Sequence, residues 1–279
     1  MLKVLKSGLF TTVQDAGRYG YLNKGVPVCG YMDSSSAEKV NLLLENDPGA
    51  AVIEITMTGP TLQFGAPNFI CLGGAEISAT LNNDDIGAYQ VIKVEKGDVL
   101  SYGKLKKGFR GYLAIKGGFR SPSVLGSRSF FPAVTAESHL AERAEIPYES
   151  HSMFDPKITE IKVASFLDEN QLRVAKGPEY EMLSDKQLEM LFSKEFHISN
   201  ENNRMAYKLE QPLPGHKVSM LTSATLPGTI QMTPSGQLII LMKDGQTTGG
   251  YPRILQLSDK AISILAQKKF RDVISFQLG

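Results

Sequence analysis

The chain is poor in the features that most directly announce a function. Its 279 residues hold two cysteines, Cys29 and Cys71. Two are too few for a disulfide framework, and no second pair stands at metal-ligand spacing, so both read as reduced thiols. The four histidines, His139, His151, His197 and His216, fall into neither a Ser-His-Asp order nor a metal-ligand spacing, which disfavours triad and metal chemistry. An excess of one charge is missing too. Thirty Lys plus Arg face 29 Asp plus Glu, a formal net charge of +1, and neither sign gathers into a long run. Nucleic acid and membrane surfaces are therefore not implied as partners. No apolar run approaches membrane-spanning length, and the opening residues reach Gly8 before building the apolar region of a signal peptide, so a cytoplasmic protein is expected. Neither Gly-x-x-x-x-Gly-Lys-[Ser/Thr] nor a helix-opening Gly-x-Gly-x-x-Gly occurs, so any nucleotide must be held unconventionally or on a partner.

Helical periodicity is also scarce. Residues 36–44 carry Ala37, Val40, Leu43 and Leu44 on one face, with Ser35 as the expected N-cap and Glu38 completing a capping box. Residues 184–192 and 258–266 are two further short helices, each opened by a serine and an acid. Most of the remainder reads as short strands between glycine, proline and Asn-Asp turns, among them 51–57, 68–72, 90–94, 111–116, 217–222 and 238–242. Many short strands with few helices imply barrels or sandwiches.

The chain also echoes itself. Thr61-Leu62-Gln63-Phe64 resembles Thr229-Ile230-Gln231-Met232, each followed by a proline and an apolar strand, and Asp98-Val99-Leu100-Ser101-Tyr102 later matches Asp272-Val273-Ile274-Ser275-Phe276. The shared order predicts two related β-rich domains, residues 1–135 and 169–279. Residues 136–168, richer in charge, histidine and proline, read as a linker or excursion between them.

Two polar loops carry the candidate chemistry. In residues 243–252, Gln246, Thr247 and Thr248 offer directional donors and acceptors beside Gly249, Gly250 and Tyr251, and paired glycines permit positive φ and close backbone approach. A strand-to-strand turn is the competing reading. The loop at 11–20 has a similar composition and adds a guanidinium: Thr12, Gln14 and Arg18 could hold a carboxylate, with Asp15 orienting the fork or acting as a base. A surface Asp-Arg pair in a turn is the alternative. Asn203, Arg204 and Tyr207 place another amide, fork and phenol together, and Arg204 is a second anion-binding candidate. Asp33 reads as a cap of the first helix, and Glu54, between Ile53 and Ile55, faces either a barrel interior, where burial would disfavour its charge, or a solvated outer face, the reading favoured here.

Taken together, residues 11–18, Gly25-Val26-Pro27 through Met32-Asp33, Gly126-Ser127-Arg128-Ser129, Asn203-Arg204-Met205 and residues 244–252 resemble the allophanate hydrolase subunit 2 family. That family includes the C subunit of bacterial ATP-dependent 5-oxoprolinase and an antagonist of a sporulation kinase inhibitor. The resemblance spans essentially the whole chain. It implies a mainly β protein of two tandem cyclophilin-like β-barrels with a few short helices. It also implies a partner similar to allophanate hydrolase subunit 1, the 5-oxoprolinase B subunit, together with an A-type lactam hydrolase.

The implied reaction is ATP-dependent activation of 5-oxoproline for ring opening to glutamate, with ATP bound somewhere in the complex. Asp15 or Asp244 would then move protons while the arginines and the 246–248 side chains hold carboxylate and lactam. The alternatives implied are a regulatory protein without catalysis, or a carboxyltransferase-type component related to urea carboxylase. No covalent biotin is expected, because the Ala-Met-Lys-Met attachment motif does not occur.

Overall fold

The computed structural model describes residues 1–279, which divide into two compact units: Met1–Arg18 with Cys29–Leu167, and Tyr19–Val28 with Asp168–Gly279. Residues 136–167, expected as a linker or excursion, fold into the first unit. There Ile146 pairs with Leu2, and Leu140 and Ile146 join the buried core.

The first unit contains β1 (Leu2–Lys6), β2 (Phe10–Gln14), α1 (Ser34–Leu43), β3 (Val52–Thr56), β4 (Thr61–Phe64), β5 (Asn68–Leu81), β6 (Asp84–Ile86), β7 (Ile92–Val94), β8 (Val99–Ile115) and β9 (Glu145–Ile146). All nine strands form one sheet. Its main path runs β2-β3-β8-β4-β1-β9, with β5 paired to β6, β7 and β8. The hydrogen-bonded path does not close, so this sheet makes half a barrel where a complete one was expected.

Strands β5 and β8 extend well beyond the expected 68–72 and 111–116. Register shifts between Gly74 and Ala79 bend their long antiparallel ladder. One face of the sheet buries Leu2, Val4, Ile53, Ile55, Leu62, Phe64 and Leu113. The other packs α1, with Val40 and Leu44 against Val52, Cys71 and Ala114. Burying each large aliphatic side chain stabilises the unit by roughly 1.5–3 kcal/mol before entropy is counted. The N-cap of α1 is Asp33, not Ser35, because its carboxylate accepts both the Ser36 amide at 3.0 Å and the Ser36 hydroxyl at 2.7 Å.

The second unit contains β10 (Gln171–Lys176), α2 (Asp185–Ser193), β11 (Phe196–Asn202), β12 (Ala206–Leu209), β13 (Ser223–Ala224), β14 (Thr229–Met232), β15 (Leu238–Leu241), β16 (Thr248–Gly249), β17 (Arg253–Leu257), α3 (Asp259–Ala266) and β18 (Val273–Leu278). Seven strands close a barrel in the order β10-β17-β14-β15-β12-β11-β18, and the parallel pair β10 and β18 completes the ring. Leu172, Ile198, Tyr207, Ile230, Ile240, Leu255 and Ile274 are among its buried residues. Ser184 opens α2 with a full capping box to Gln187, and Ser258 caps α3, as the serine-acid openings predict.

The strand expected over 217–222 does not form: Leu221 is 90% exposed, and only the two residues of β13 pair, with β16. The echo marks strands in both units, but the partners differ. β4 lies between β8 and β1, whereas β14 lies between β15 and β17.

Candidate functional site

β2 carries the first polar loop out of the sheet. Its register against β3 sets Thr12 opposite Glu54 and Gln14 opposite Val52. Thr12 and Gln14 are buried, and Gln14 Nε2 donates to Thr12 Oγ1 at 3.1 Å and to the Phe130 carbonyl at 3.3 Å. Beyond them Asp15 gathers donors. Its carboxylate accepts the Gly17 amide at 2.9 Å, the Ser127 and Ser129 hydroxyls each at 2.7 Å, and the Arg128 amide.

Arg18 reaches the same segment: Nε donates to the Val124 carbonyl at 3.0 Å and Nη2 to the Ser129 carbonyl at 2.9 Å. The guanidinium is 1% exposed, and Nη1 has no hydrogen-bond partner. Loop 11–18 and the Gly126-Ser127-Arg128-Ser129 motif, distant in sequence, therefore form one structure. An Asp15 carboxylate so fully engaged is an organiser of the loop. The buried free donor of Arg18 is suited to a carboxylate or carbonyl oxygen.

Asp15 also borders a cavity of about 520 Å3, lined further by Asp47, Lys116, Gly118, Arg120 and Arg128. Its cations are tied down. Lys116 Nζ donates to the Leu44 carbonyl at 2.8 Å, Arg120 pairs with Glu149 at 3.1 Å, and Arg128 Nη1 donates to the Ser121 carbonyl.

In the second unit the candidates separate. Arg204 and Asp244 form a two-pronged ion pair, Nε to Oδ2 at 2.8 Å and Nη2 to Oδ1 at 2.9 Å, with about a tenth of each side chain exposed. The proposed anion binder and the proposed proton carrier thus hold each other, as the bidentate geometry of the guanidinium favours. Asn203 Oδ1 accepts the Met205 and Ala206 amides, a local turn. Tyr207 lies inside the barrel, donating to the Lys268 carbonyl at 3.2 Å, and is not available at the surface.

Gln246 and Thr248 remain exposed, and Tyr251 is 41% exposed. The Gln246 and Thr247 carbonyls accept the hydroxyl and amide of Thr225. Neither Gly249 nor Gly250 adopts positive φ. A Cβ at Gly249 would lie 2.4 Å from Gln231 Nε2 and 2.9 Å from Gln246 Nε2, so those two glutamine side chains would have to move to admit it.

A further polar cluster escaped the sequence reading. Glu54, for which a solvated outer face was the favoured reading, is 1% exposed, enclosed by Met32 of the loop before α1 and by Tyr112 and Arg110 of β8. Its Oε2 accepts the Met32 amide at 2.8 Å and the Tyr112 hydroxyl at 2.9 Å, while Arg110 Nε stands 3.7 Å from Oε1. The Tyr112 hydroxyl in turn accepts the Asp33 amide at 2.8 Å. Burial first, then the negative charge of Glu54, pushes the Tyr112 phenol well above its ordinary range, so it stays a neutral donor. Glu54 and Tyr112 face each other only through the β3–β8 register, which no local sequence pattern specifies. No group of three or more His, Cys, Asp or Glu is arranged to hold a metal ion, and no helix is long and apolar enough to cross a membrane.

Residues 24–278 match the family described as carboxyltransferase domain, subdomain A and B. The chain is similar to the 5-oxoprolinase C subunit of Escherichia coli strain K12, at 32% identity over 99% of this chain and 90% of that one. Among solved structures it is similar to TTHA0988, with a TM-score of 0.89 and 26% identity over 99% of this chain and 55% of that one. It is similar too to the urea amidolyase of K. lactis, with a TM-score of 0.88 and 27% identity over 99% of this chain and 18% of that one. The chain thus spans about half or less of the solved chains to which it is similar.

Proposed function

The chain belongs to the carboxyltransferase domain, subdomain A and B family, and on that footing we propose that it is the C subunit of an ATP-dependent 5-oxoprolinase. The observation that carries this reading is the 32% identity to a 5-oxoprolinase C subunit of nearly the same length. In this reading the chain acts with a B-like partner, similar to allophanate hydrolase subunit 1, and an A-type lactam hydrolase, in the cytoplasm, on 5-oxoproline. The Arg18 Nη1 donor supports it, since a buried guanidinium edge without a protein acceptor fits a substrate carboxylate or lactam oxygen.

ATP belongs somewhere in the complex in this reading, and we infer that the partner holds it because neither phosphate-binding glycine motif occurs in this chain. At each of α1, α2 and α3 one first-turn amide, that of Ser36, Gln187 or Ala261, is already taken by the cap side chain of Asp33, Ser184 or Ser258. The similarity to urea amidolyase favours one second reading, a carboxyltransferase-type component.

The test is reconstitution. The purified chain mixed with its B-like and A-like partners, ATP and 5-oxoproline should release glutamate and ADP, while the chain alone releases neither. Arg18→Lys, which keeps the charge but loses the fork, should lower kcat/KM about 100-fold in the assembled mixture. Carboxyl transfer from a carboxybiotinylated carrier without glutamate release would favour the second reading. A wild-type mixture that assembles by size exclusion yet makes no glutamate would overturn the first.

A further inference from the structure

We propose that the first unit carries a separate binding site for a small neutral carbonyl compound, in the groove beside residues 161–167. The groove has a volume of about 330 Å3 and is walled largely by apolar groups, including Ala75, Ile77, Ala88, Ile161 and Phe166. That size and lining suit a small molecule held by apolar contact and a few convergent polar groups.

Glu76, Lys162 and Ser165 also border the groove, and two further polar side chains of its wall, Ser36 and Tyr89, have their partners inside the fold. Both are committed inward: Tyr89 Oη accepts the Gly74 amide at 2.9 Å and donates to Ser36 Oγ at 3.4 Å, and Ser36 donates to Asp33 Oδ2 at 2.7 Å. They fix the wall's shape rather than offer a free donor.

The free donor lies deeper. Ala75, Ile77 and Ala88 line both this groove and an inner cavity of about 20 Å3, which Leu72, Ile86 and Tyr102 also line. A space of that size accommodates about one oxygen atom. The Tyr102 hydroxyl is buried with no hydrogen-bond partner. Such an unpaired group costs on the order of 1–3 kcal/mol, and an acceptor that reached it would offset that cost.

The acceptor should be neutral. No charged residue lines the inner cavity, and an unpaired anion in apolar surroundings would be strongly disfavoured. Burial also raises the Tyr102 pKa, so the phenol is a donor at any physiological pH. A carbonyl or amide oxygen at the end of an apolar ring or short chain satisfies both the groove and the hydroxyl. The site shares no residue with the Asp15 and Arg18 loop and does not depend on the function proposed above.

The probe is ε-caprolactam, a neutral cyclic amide, titrated into the full chain labelled at isoleucine δ1-methyl groups. Saturable shifts are expected at Ile77, Ile86 and Ile161. Ala88→Trp, at an exposed position on the mouth, should abolish them. Tyr102→Phe should weaken binding about tenfold, the loss of one buried hydrogen bond, while raising the thermal midpoint of the free protein by removing an unpaired polar group. Absence of those shifts, or their persistence in Ala88→Trp, would overturn the site. A Tyr102→Phe protein that binds the probe as tightly as the wild type would overturn the role of the hydroxyl and leave the inner cavity to solvent.

Discussion

Asp15 shows what a single buried carboxylate can organise. Four donors converge on it from Gly17, Ser127, Arg128 and Ser129, and Arg18 secures the same segment through two carbonyls. Asp15→Asn keeps the volume but turns an amide N–H toward one of those donors, so it should lower unfolding free energy by about 2–3 kcal/mol. Urea denaturation of the two proteins measures this. A loss below about 0.5 kcal/mol, the ordinary range of a surface substitution, would show that the loop is held without it. The composition of residues 11–18 marked the loop as polar and functional, and the structure does bury Thr12, Gln14, Asp15 and Arg18 together. Their partners were not legible, because they lie more than a hundred positions away. Arg204 and Asp244 were singled out separately for the same reason. Each offers a charge that looks available until the fold sets one against the other.

At the scale of elements, caps and apolar periodicity located α1, α2 and α3 to within two residues, since those signals are local. Strand lengths were poorly read: β5 and β8 exceed their expected spans because they pair with each other along a bent antiparallel ladder, a non-local effect. Where an element is held to another by charge, the dependence can be tested by pH. Glu179, preceding the short 3-10 turn Tyr180–Met182, receives the Arg253 guanidinium at 2.9 and 2.8 Å and the Arg253 amide at 2.8 Å, which fastens that turn to β17. The Arg253 hydrogen bond is the largest cause holding the Glu179 carboxyl below its usual range. A carboxyl depressed on folding binds fewer protons in the native state, so its contribution is complete above the ordinary glutamate range and fades as pH falls through the depressed value. Glu179→Gln should therefore lower stability by about 1 kcal/mol at pH 7, a modest figure because both side chains are partly exposed. The difference from wild type should vanish in acid. A gap unchanged between pH 7 and pH 2.5 would mean that packing, not charge, holds the turn.

For the molecule as a whole, the internal echo foretold two β-rich halves, yet the halves solve the edge problem differently. The first leaves an open sheet whose path ends at β2 and β9, whereas the second closes seven strands into a ring with no unpaired edge. Closure has a consequence for autonomy. Every strand of the ring lies between Gln171 and Leu278, and α2 and α3 with their caps fall within the same span. All backbone pairing that defines the barrel is therefore available to residues 168–279 alone, although residues 19–28 also belong to this unit. A fragment of residues 168–279 should fold by itself, with a β-type circular dichroism spectrum and one cooperative thermal transition. Its calorimetric enthalpy should be about 60–80 kcal/mol, as for any domain of roughly a hundred residues. A broad transition without a calorimetric peak would show that the ring needs residues 19–28 to close its core. Restoring cooperativity by adding a peptide of those ten residues would then assign them that role.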